Sequence, residues 1–201
     1  GGYAPSLPGN EKALSLIARA VKKAGYDLGR EVKIAVDVAA SEFAQEGKYE
    51  MKADKKIRTP EQMIEMYKNW LAKYPIESIE DGLSEDDWVN WKTFTQQLGR
   101  RVTLVGDDLF VTNVKRLQKG INEKVANAIL IKLNQIGSVS ETIDAIYLAK
   151  KNNYKVSISH RSGETADTFI ADLAVAVNSD FIKSGSLSRS ERVEKYNRLM
   201  K

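Results

Sequence analysis

The sequence has no cysteine and a single histidine, His160. The lack of cysteine excludes disulfide bonds and thiolate-bound zinc, and it is compatible with a reducing cytoplasm, where we expect the protein to be located. A single histidine also excludes a metal site built from several imidazoles. Any bound metal must therefore be held mainly by oxygen ligands, which favours a hard ion such as Mg²⁺ or Mn²⁺.

Long apolar runs are also missing, and the start of the chain lacks the basic and then apolar pattern of a signal peptide. We therefore expect no membrane partner. The net charge of +4 is spread along 201 residues, so it suits an anionic ligand but gives little support for nucleic-acid binding. Apolar residues make up 42% of the chain and no linker is evident, so residues 1–201 are predicted to form a single domain.

Short apolar, β-branched runs alternate with longer segments whose apolar residues have helical spacing. This alternation is typical of buried parallel strands joined by helical crossovers. The predicted strands cover residues 32–36, 76–79, 102–105, 128–131, 155–159 and 181–182. The predicted helices cover residues 11–24, 60–73, 84–97, 113–120, 138–149, 165–177 and 189–200, with capping boxes at Ser138 with Glu141 and at Ser188 with Glu191.

A charged or ionisable residue follows each predicted strand. These residues are Asp37, Glu80, Asp107, Lys132, His160 and Lys183. In a parallel barrel all such positions lie at the carboxyl-end rim, where barrels of this type build their active sites, whereas an open doubly wound sheet would divide them into two groups. We therefore predict an α/β fold with an incomplete barrel of about six strand-helix units. The first interval is the longest, and residues 46–54 could fill it with a small hairpin or loop.

Three of these residues are acids that could share one metal ion. Asp37, Glu80 and Asp107 would give Mg²⁺ three carboxylates, with water and substrate oxygens completing its octahedron. The alternative is that each acid caps a helix or pairs with a lysine or arginine.

Lys132 follows the apolar run 129–131, so its stem should be buried and its amine should lie in the barrel mouth. Desolvation there favours the neutral amine, which is the form that can remove a proton. Two alternatives stay open. Lys132 could simply pair with the carboxylates, or it could form a Schiff base as in barrel aldolases.

His160, Arg161 and Ser162 follow one strand and precede a helix, an arrangement that suits phosphate binding. Arg161 can make a two-pronged contact to phosphate and Ser162 can add a hydroxyl. Lys183 could hold a carboxylate or help to lower the pKa of Lys132. The alternatives are a structural role for His160 and an ordinary surface position for Lys183.

Seven segments of the chain, in this order, closely resemble segments of enolase, and they are spread along essentially the whole chain. They are Gly1-Gly2-Tyr3-Ala4-Pro5, Asp37-Val38-Ala39-Ala40-Ser41-Glu42-Phe43, Ser78-Ile79-Glu80-Asp81, Gly106-Asp107-Asp108-Leu109, Lys132-Leu133-Asn134-Gln135-Ile136-Gly137, Ser159-His160-Arg161-Ser162-Gly163-Glu164-Thr165 and Ser190-Glu191-Arg192 with Lys195-Tyr196-Asn197. The resemblance implies a TIM-like (β/α) barrel of the enolase superfamily. It also implies a lyase that interconverts 2-phosphoglycerate and phosphoenolpyruvate in glycolysis and gluconeogenesis.

The resemblance further implies a role for each site residue. Asp37, Glu80 and Asp107 would bind the tightly held Mg²⁺, and a second Mg²⁺ would bridge the carboxylate and phosphate of the substrate. Lys132 would be the base that takes the proton from C2. The remaining residues would contact the substrate: Arg161 and Ser162 at its phosphate, and His160 and Lys183 at further positions, with His160 also counted as catalytic. A homodimer in the full-length protein and a cytoplasmic location, with some relatives also at the cell surface, are implied as well.

In enolases, the glutamate that protonates the departing hydroxyl would lie just before the position of Gly1. A barrel of six units, where the family design has eight, would also leave unpaired strand edges. We therefore expect the 201-residue chain by itself to have little or no enolase activity. A non-catalytic binding module derived from enolase, or a Schiff-base barrel lyase, remains the alternative.

Overall fold

A computed structural model of the chain describes residues 2–201. Its residues form two compact units. The first, here called the N-terminal unit, contains residues 5–105 and 124–126, and the second, the C-terminal unit, contains residues 2–4, 106–123 and 127–201. The prediction of one domain over residues 1–201 stays a prediction.

The N-terminal unit is built around three parallel strands. Strand β1 (Ile34–Asp37) pairs with β5 (Ile76–Glu80), and β5 pairs with β6 (Thr103–Gly106), whose residues 103–105 belong to this unit. The helices are α1 (Asn10–Lys23), α2 (Pro60–Lys73) and α3 (Trp88–Leu98). Helix α2 begins at a capping box in which Thr59 and Gln62 exchange hydrogen bonds, with Pro60 in the first turn.

The core of this unit contains a cluster of aromatic side chains among aliphatic ones. Helix α2 buries Tyr67 and Trp70 on one face, because the two residues are separated by about one helical turn. The Tyr67 ring centroid lies 5.7 Å from that of Trp70 and 5.3 Å from that of Phe94 in α3. The three tryptophans of the sequence therefore belong to helices, as expected from their amphipathic segments, with Trp91 fully buried and Trp88 at the start of α3.

The segment between β1 and α2 forms a small antiparallel sheet of three strands. These strands are β2 (Ala44–Gln45), β3 (Lys48–Met51) and β4 (Lys56–Arg58). The expectation of a small hairpin in this interval is confirmed, but the sheet extends beyond residues 46–54 at both ends. The bounds of its strands were not predicted because each strand is very short.

The C-terminal unit has three further parallel strands. Strand β7 (Ala128–Ile131) pairs with β8 (Lys155–Ser159), and β8 pairs with β9 (Phe181–Lys183). All four residues of β7 are buried, which explains its uniformly apolar sequence. The helices of this unit are α4 (Val114–Glu123), α5 (Leu133–Ile136), α6 (Val139–Lys151), α7 (Phe169–Ala176) and α8 (Ser190–Leu199).

One predicted helix start is confirmed and one is wrong. Ser138 accepts a hydrogen bond from the backbone N–H of Glu141 at 3.2 Å, as expected of the cap of α6. Ser188 does not cap α8, because the helix begins at Ser190 after Arg189, and the Glu191 carboxylate pairs with Arg189 at 2.7 Å instead.

The prediction of an α/β fold with parallel strands and helical crossovers is confirmed. Among the helices formed by residues 2–201, none combines the length and the apolar character that a membrane span requires.

Candidate metal and substrate site

The carboxyl ends of β1 and β5 bring two of the predicted metal ligands side by side. Asp37 and Glu80 are register partners in the parallel ladder, so their side chains lie on the same face. The pairing continues past the strand ends, where the N–H of Val38 donates to the Glu80 carbonyl at 3.0 Å and the N–H of Ala40 donates to the Asp81 carbonyl at 3.0 Å. These bonds hold the backbone of both acids.

The environments of the two acids differ. Glu80 is only 6% exposed, whereas Asp37 is exposed and borders a cavity of about 490 Å³ that Glu42 and Lys52 also line. Both acids supply hard oxygen donors, and this ligand chemistry fits Mg²⁺. The structure therefore brings together two members of the predicted ligand set in the N-terminal unit.

Two side chains donate hydrogen bonds to the turn after Glu80. The Tyr67 hydroxyl donates to the Gly82 carbonyl at 2.8 Å, and the Trp91 indole N–H donates to the Ser84 carbonyl at 3.1 Å. A Cβ at Gly82 would come within 2.7 Å of the Phe94 ring, so a larger residue at this position would have to displace that ring.

The third predicted ligand, Asp107, belongs to the C-terminal unit, where it pairs with Lys132. The Lys132 Nζ lies 2.5 Å from the Asp107 Oδ2, and the side chains are only 16% and 10% exposed. Asp107 also has a carboxylate oxygen within 4.8 Å of one from its neighbour Asp108. The amine of Lys132 is thus in direct contact with one predicted metal ligand. This contact is also what the alternative requires, in which Lys132 only pairs with the carboxylates.

A buried threonine fixes the backbone at Lys132. The Thr112 hydroxyl accepts a hydrogen bond from the Lys132 N–H at 2.9 Å and donates to the Gln135 side chain at 2.8 Å. Thr112 is fully buried in the loop that starts at Asp107, so the hydroxyl joins this loop to the end of β7. Sequence reasoning missed Thr112 because a hydroxyl inside a loop gives no periodic signal.

The remaining predicted site residues lie at the carboxyl ends of two strands of the same unit: His160, Arg161 and Ser162 follow β8, and Lys183 is the last residue of β9. The His160 N–H donates to the Lys183 carbonyl at 2.9 Å, continuing the ladder in which Ser159 and Lys183 are partners. Arg161 donates through its guanidinium to the Asn134 side chain at 2.8 Å. Ser162 is exposed in the loop that follows.

His160 is neutral at pH 7 in this environment. Burial lowers the pKa of His160 to about 4, assisted by the positive charges of Arg192, Lys183 and Lys132 and opposed by Glu164. Lys132 and Lys183 both lower the pKa of His160 through their positive charge, so both lie near the imidazole. This region is cationic at the ends of β7, β8 and β9, and it suits an anionic ligand.

Helix α8 contributes residues to which sequence reasoning assigned no role. Arg192 and Lys195 are buried and donate hydrogen bonds to the loop formed by residues 160–165. In the sequence, the two cations are three residues apart in a charged helical segment, which places them on one face of the helix. This spacing is the signal that could have indicated a shared role.

Comparisons with known proteins agree with the motifs. The model of the family described as "Enolase, C-terminal TIM barrel domain" matches residues 1–201, which confirms the barrel prediction. The enolase of Helicobacter hepaticus (strain ATCC 51449 / 3B1) is 58% identical over 201 residues, which are 100% of this chain and 47% of that relative. The chain therefore spans about half the length of this curated relative. Together, the motifs and the full-length family match establish that the chain belongs to the enolase family through its C-terminal TIM barrel domain.

Proposed function

We propose that the protein carrying this chain is a Mg²⁺-dependent enolase that reversibly dehydrates 2-phosphoglycerate to phosphoenolpyruvate. The observation that carries the proposal is the cationic region of the C-terminal unit, where Lys132, His160 and Lys183 lie at the carboxyl ends of three adjacent parallel strands. A small substrate with both a phosphate and a carboxylate matches this charge. Family membership supplies the reaction class.

Lys132 is the proposed base that removes the C2 proton. Its stem follows the fully buried strand β7, and its backbone is held by Thr112, so the amine has a defined position. The amine also contacts the Asp107 carboxylate at 2.5 Å, which further restricts its position.

Two basic groups and one hydroxyl are proposed to bind the substrate anions. Arg161 and Ser162 are assigned to the phosphate, and Lys183 to the carboxylate. The Arg161 guanidinium has five N–H donors, of which Asn134 receives one at 2.8 Å, so the bond to Asn134 orients the group without consuming its binding capacity.

By the family resemblance, Asp37, Glu80 and Asp107 are the proposed ligands of one Mg²⁺, and a second Mg²⁺ is bound together with the substrate. The all-oxygen donor set and the side-by-side positions of Asp37 and Glu80 support this assignment. When bound, the metal supplies positive charge that stabilises the enolate left by removal of the C2 proton.

The base assignment is tested by Lys132→Ala in the full-length protein. Exchange of the C2 proton of 2-phosphoglycerate with D₂O, followed by proton NMR, should fall by about 10²–10⁴ while most of the substrate affinity remains. Lys150→Ala is the matched control, because the Lys150 amine of helix α6 makes an exposed hydrogen bond to the Asn178 carbonyl in the same unit. Retained exchange in Lys132→Ala would remove Lys132 from the base role, and trapping of a carbonyl substrate on Lys132 by borohydride would favour the Schiff-base lyase.

The metal assignment is tested by Glu80→Gln, with Mg²⁺ binding measured by calorimetry. The affinity should fall at least about tenfold, because one anionic ligand is lost. Glu77→Gln is the control on the same strand, since Glu77 pairs with Lys33 at 2.6 Å near the surface. Equal Mg²⁺ affinities of the two variants would contradict the assignment.

A homodimer and a cytoplasmic location belong to the same proposal and come from the family resemblance. Light scattering on the full-length protein tests the first, and cell fractionation tests the second. A monomer without turnover that captures a partner protein would instead favour the non-catalytic binding module.

A further inference from the structure

Helix α8 directs two buried cations toward the loop that carries His160 and Arg161. Arg192 is 6% exposed and Lys195 is 1% exposed. Because they are three residues apart in a helix, they share one face. Burial of a cation is costly unless its donors find acceptors, so the partners of these two side chains indicate what the helix stabilises.

Arg192 binds three consecutive residues of the loop. Its guanidinium donates to the Arg161 carbonyl at 2.8 Å and to the Ser162 carbonyl at 3.0 Å. The same group also contacts the Nδ1 of His160. A guanidinium has donors and no acceptor, so Nδ1 must be the acceptor in this contact. A neutral imidazole that accepts at Nδ1 carries its proton at Nε2.

The neighbours of Arg192 restrict both the guanidinium and the imidazole. Lys195 donates to the Thr165 carbonyl and to the Glu191 carbonyl at 2.7 Å, which holds the far end of the loop. At Gly185, a Cβ would come within 2.8 Å of the Arg192 Cδ and 3.1 Å of the His160 Cε1. The backbone of Gly185 therefore packs against both side chains and leaves them little room to separate.

We propose that Arg192 is a positioning residue that fixes His160 as its neutral Nε2–H tautomer, so that the imidazole presents a hydrogen-bond donor to an anionic oxygen of the substrate. The proposal rests on the proposed function, because it assigns the state of a residue in that same site. His160 is then a donor that binds substrate and does not act as a general base. The charged groups around the ring are Arg192, Lys183, Lys132 and Glu164, and three of the four are cations that oppose imidazolium formation.

The tautomer can be measured directly, because His160 is the single histidine of the 201-residue chain. With ¹⁵N-labelled histidine, a long-range ¹H–¹⁵N correlation spectrum at pH 7 distinguishes the two neutral tautomers. We expect the Nε2–H form in at least about tenfold excess, as a hydrogen bond from a charged donor produces. A dominant Nδ1–H form, an even mixture or an imidazolium in the unsubstituted chain would overturn the proposal. The tautomer is measured without turnover. The spectrum therefore tests the role of Arg192, whereas the assays of the full-length protein test the proposed function, and the two can fail separately.

Substitutions assign the effect to Arg192. In Arg192→Met the preference should fall to a mixture of tautomers, and the pKa of His160 should rise toward its ordinary value because a neighbouring positive charge is lost. Arg192→Lys keeps the charge with a different donor geometry, so the imidazole should stay neutral while part of the tautomer preference is lost. Arg198→Met on the same helix is the matched control, since Arg198 pairs with Asp172 at 2.7 Å where both side chains are about half exposed.

An unchanged tautomer ratio in folded Arg192→Met would show that Arg192 does not set it. The amide spectrum of each variant shows whether it has folded. If Arg192→Met does not fold, the unsubstituted chain and Arg192→Lys still test the proposal. Arg192→Lys is then compared with the control Arg198→Met, and equal tautomer ratios in these two variants would contradict the proposal.

Discussion

Replacing Gly185 by alanine should destabilise the C-terminal unit through two separate effects. Gly185 has a φ of +82°, a conformation that costs an L-residue about 1–2 kcal/mol. The new Cβ would also lie 2.8 Å from the Arg192 Cδ, which cannot move easily because the guanidinium is bonded to the loop formed by residues 160–162. Overpacking of this kind costs about 1–3 kcal/mol.

Gly137→Ala separates the two effects. Gly137 belongs to the same unit and has a φ of +99°, and a Cβ at this position would meet no atom of residues 2–201 within 4 Å, apart from those of its chain neighbours. This variant therefore carries the backbone cost without the clash. The change in the unfolded chain is the same for both substitutions and cancels in the comparison.

Urea unfolding followed by far-UV circular dichroism measures the difference. Tryptophan fluorescence is unsuitable, because Trp70, Trp88 and Trp91 all lie in the N-terminal unit. We expect the free energy of unfolding of Gly185→Ala to be about 1–3 kcal/mol below that of Gly137→Ala. Equal values for the two variants would refute the close packing of Gly185 against Arg192 and His160.

Three further predictions follow from buried groups. The pKa of His160 is lowered to about 4, so on acidification the unfolded chain binds a proton at a higher pH than the folded chain does. The free energy of unfolding should therefore rise as the pH is raised from about 4 to about 6.5. Urea unfolding at a series of pH values should show a smaller rise for His160→Gln. Tyr67→Phe should lower the free energy of unfolding by about 1–3 kcal/mol in the same assay, because the buried Gly82 carbonyl loses its donor. Thr112→Val should cost a similar amount, because the Lys132 N–H loses its acceptor. Under the proposed function it should also slow C2-proton exchange in the full-length protein, and Thr112→Ser should restore both properties.

Each of these has a result that contradicts it. A pH dependence that His160→Gln leaves unchanged would assign the effect to other groups. A Tyr67→Phe variant as stable as the unsubstituted chain would mean that the hydroxyl contributes nothing to the turn after β5. Thr112→Ser that behaves like Thr112→Val would show that the side-chain volume, and not the hydroxyl, matters at this position.

The strands and most helices could be predicted from the sequence because their signals are local. The uniformly apolar run at residues 128–131 is β7, with the predicted bounds, and the predicted helix at residues 60–73 is α2. Sequence signals gave wrong or missing bounds where an element was very short or where more than one residue could cap a helix. The three strands β2, β3 and β4 are too short for alternation to define their bounds, and Ser188 has the residue type of a cap without its position.

The sequence by itself determined which residue types lie at the ends of the parallel strands, since each apolar run must stop where the chain leaves the core. Only the tertiary structure decided which of these groups touch. Asp107 and Lys132 are 25 residues apart and form an ion pair, and His160 and Arg192 are 32 residues apart and share a hydrogen bond. No local pattern encodes such contacts, because strand pairing and helix packing set them. The same packing turns Arg192 and Lys195 from surface charges of an amphipathic helix into buried donors to the loop formed by residues 160–165.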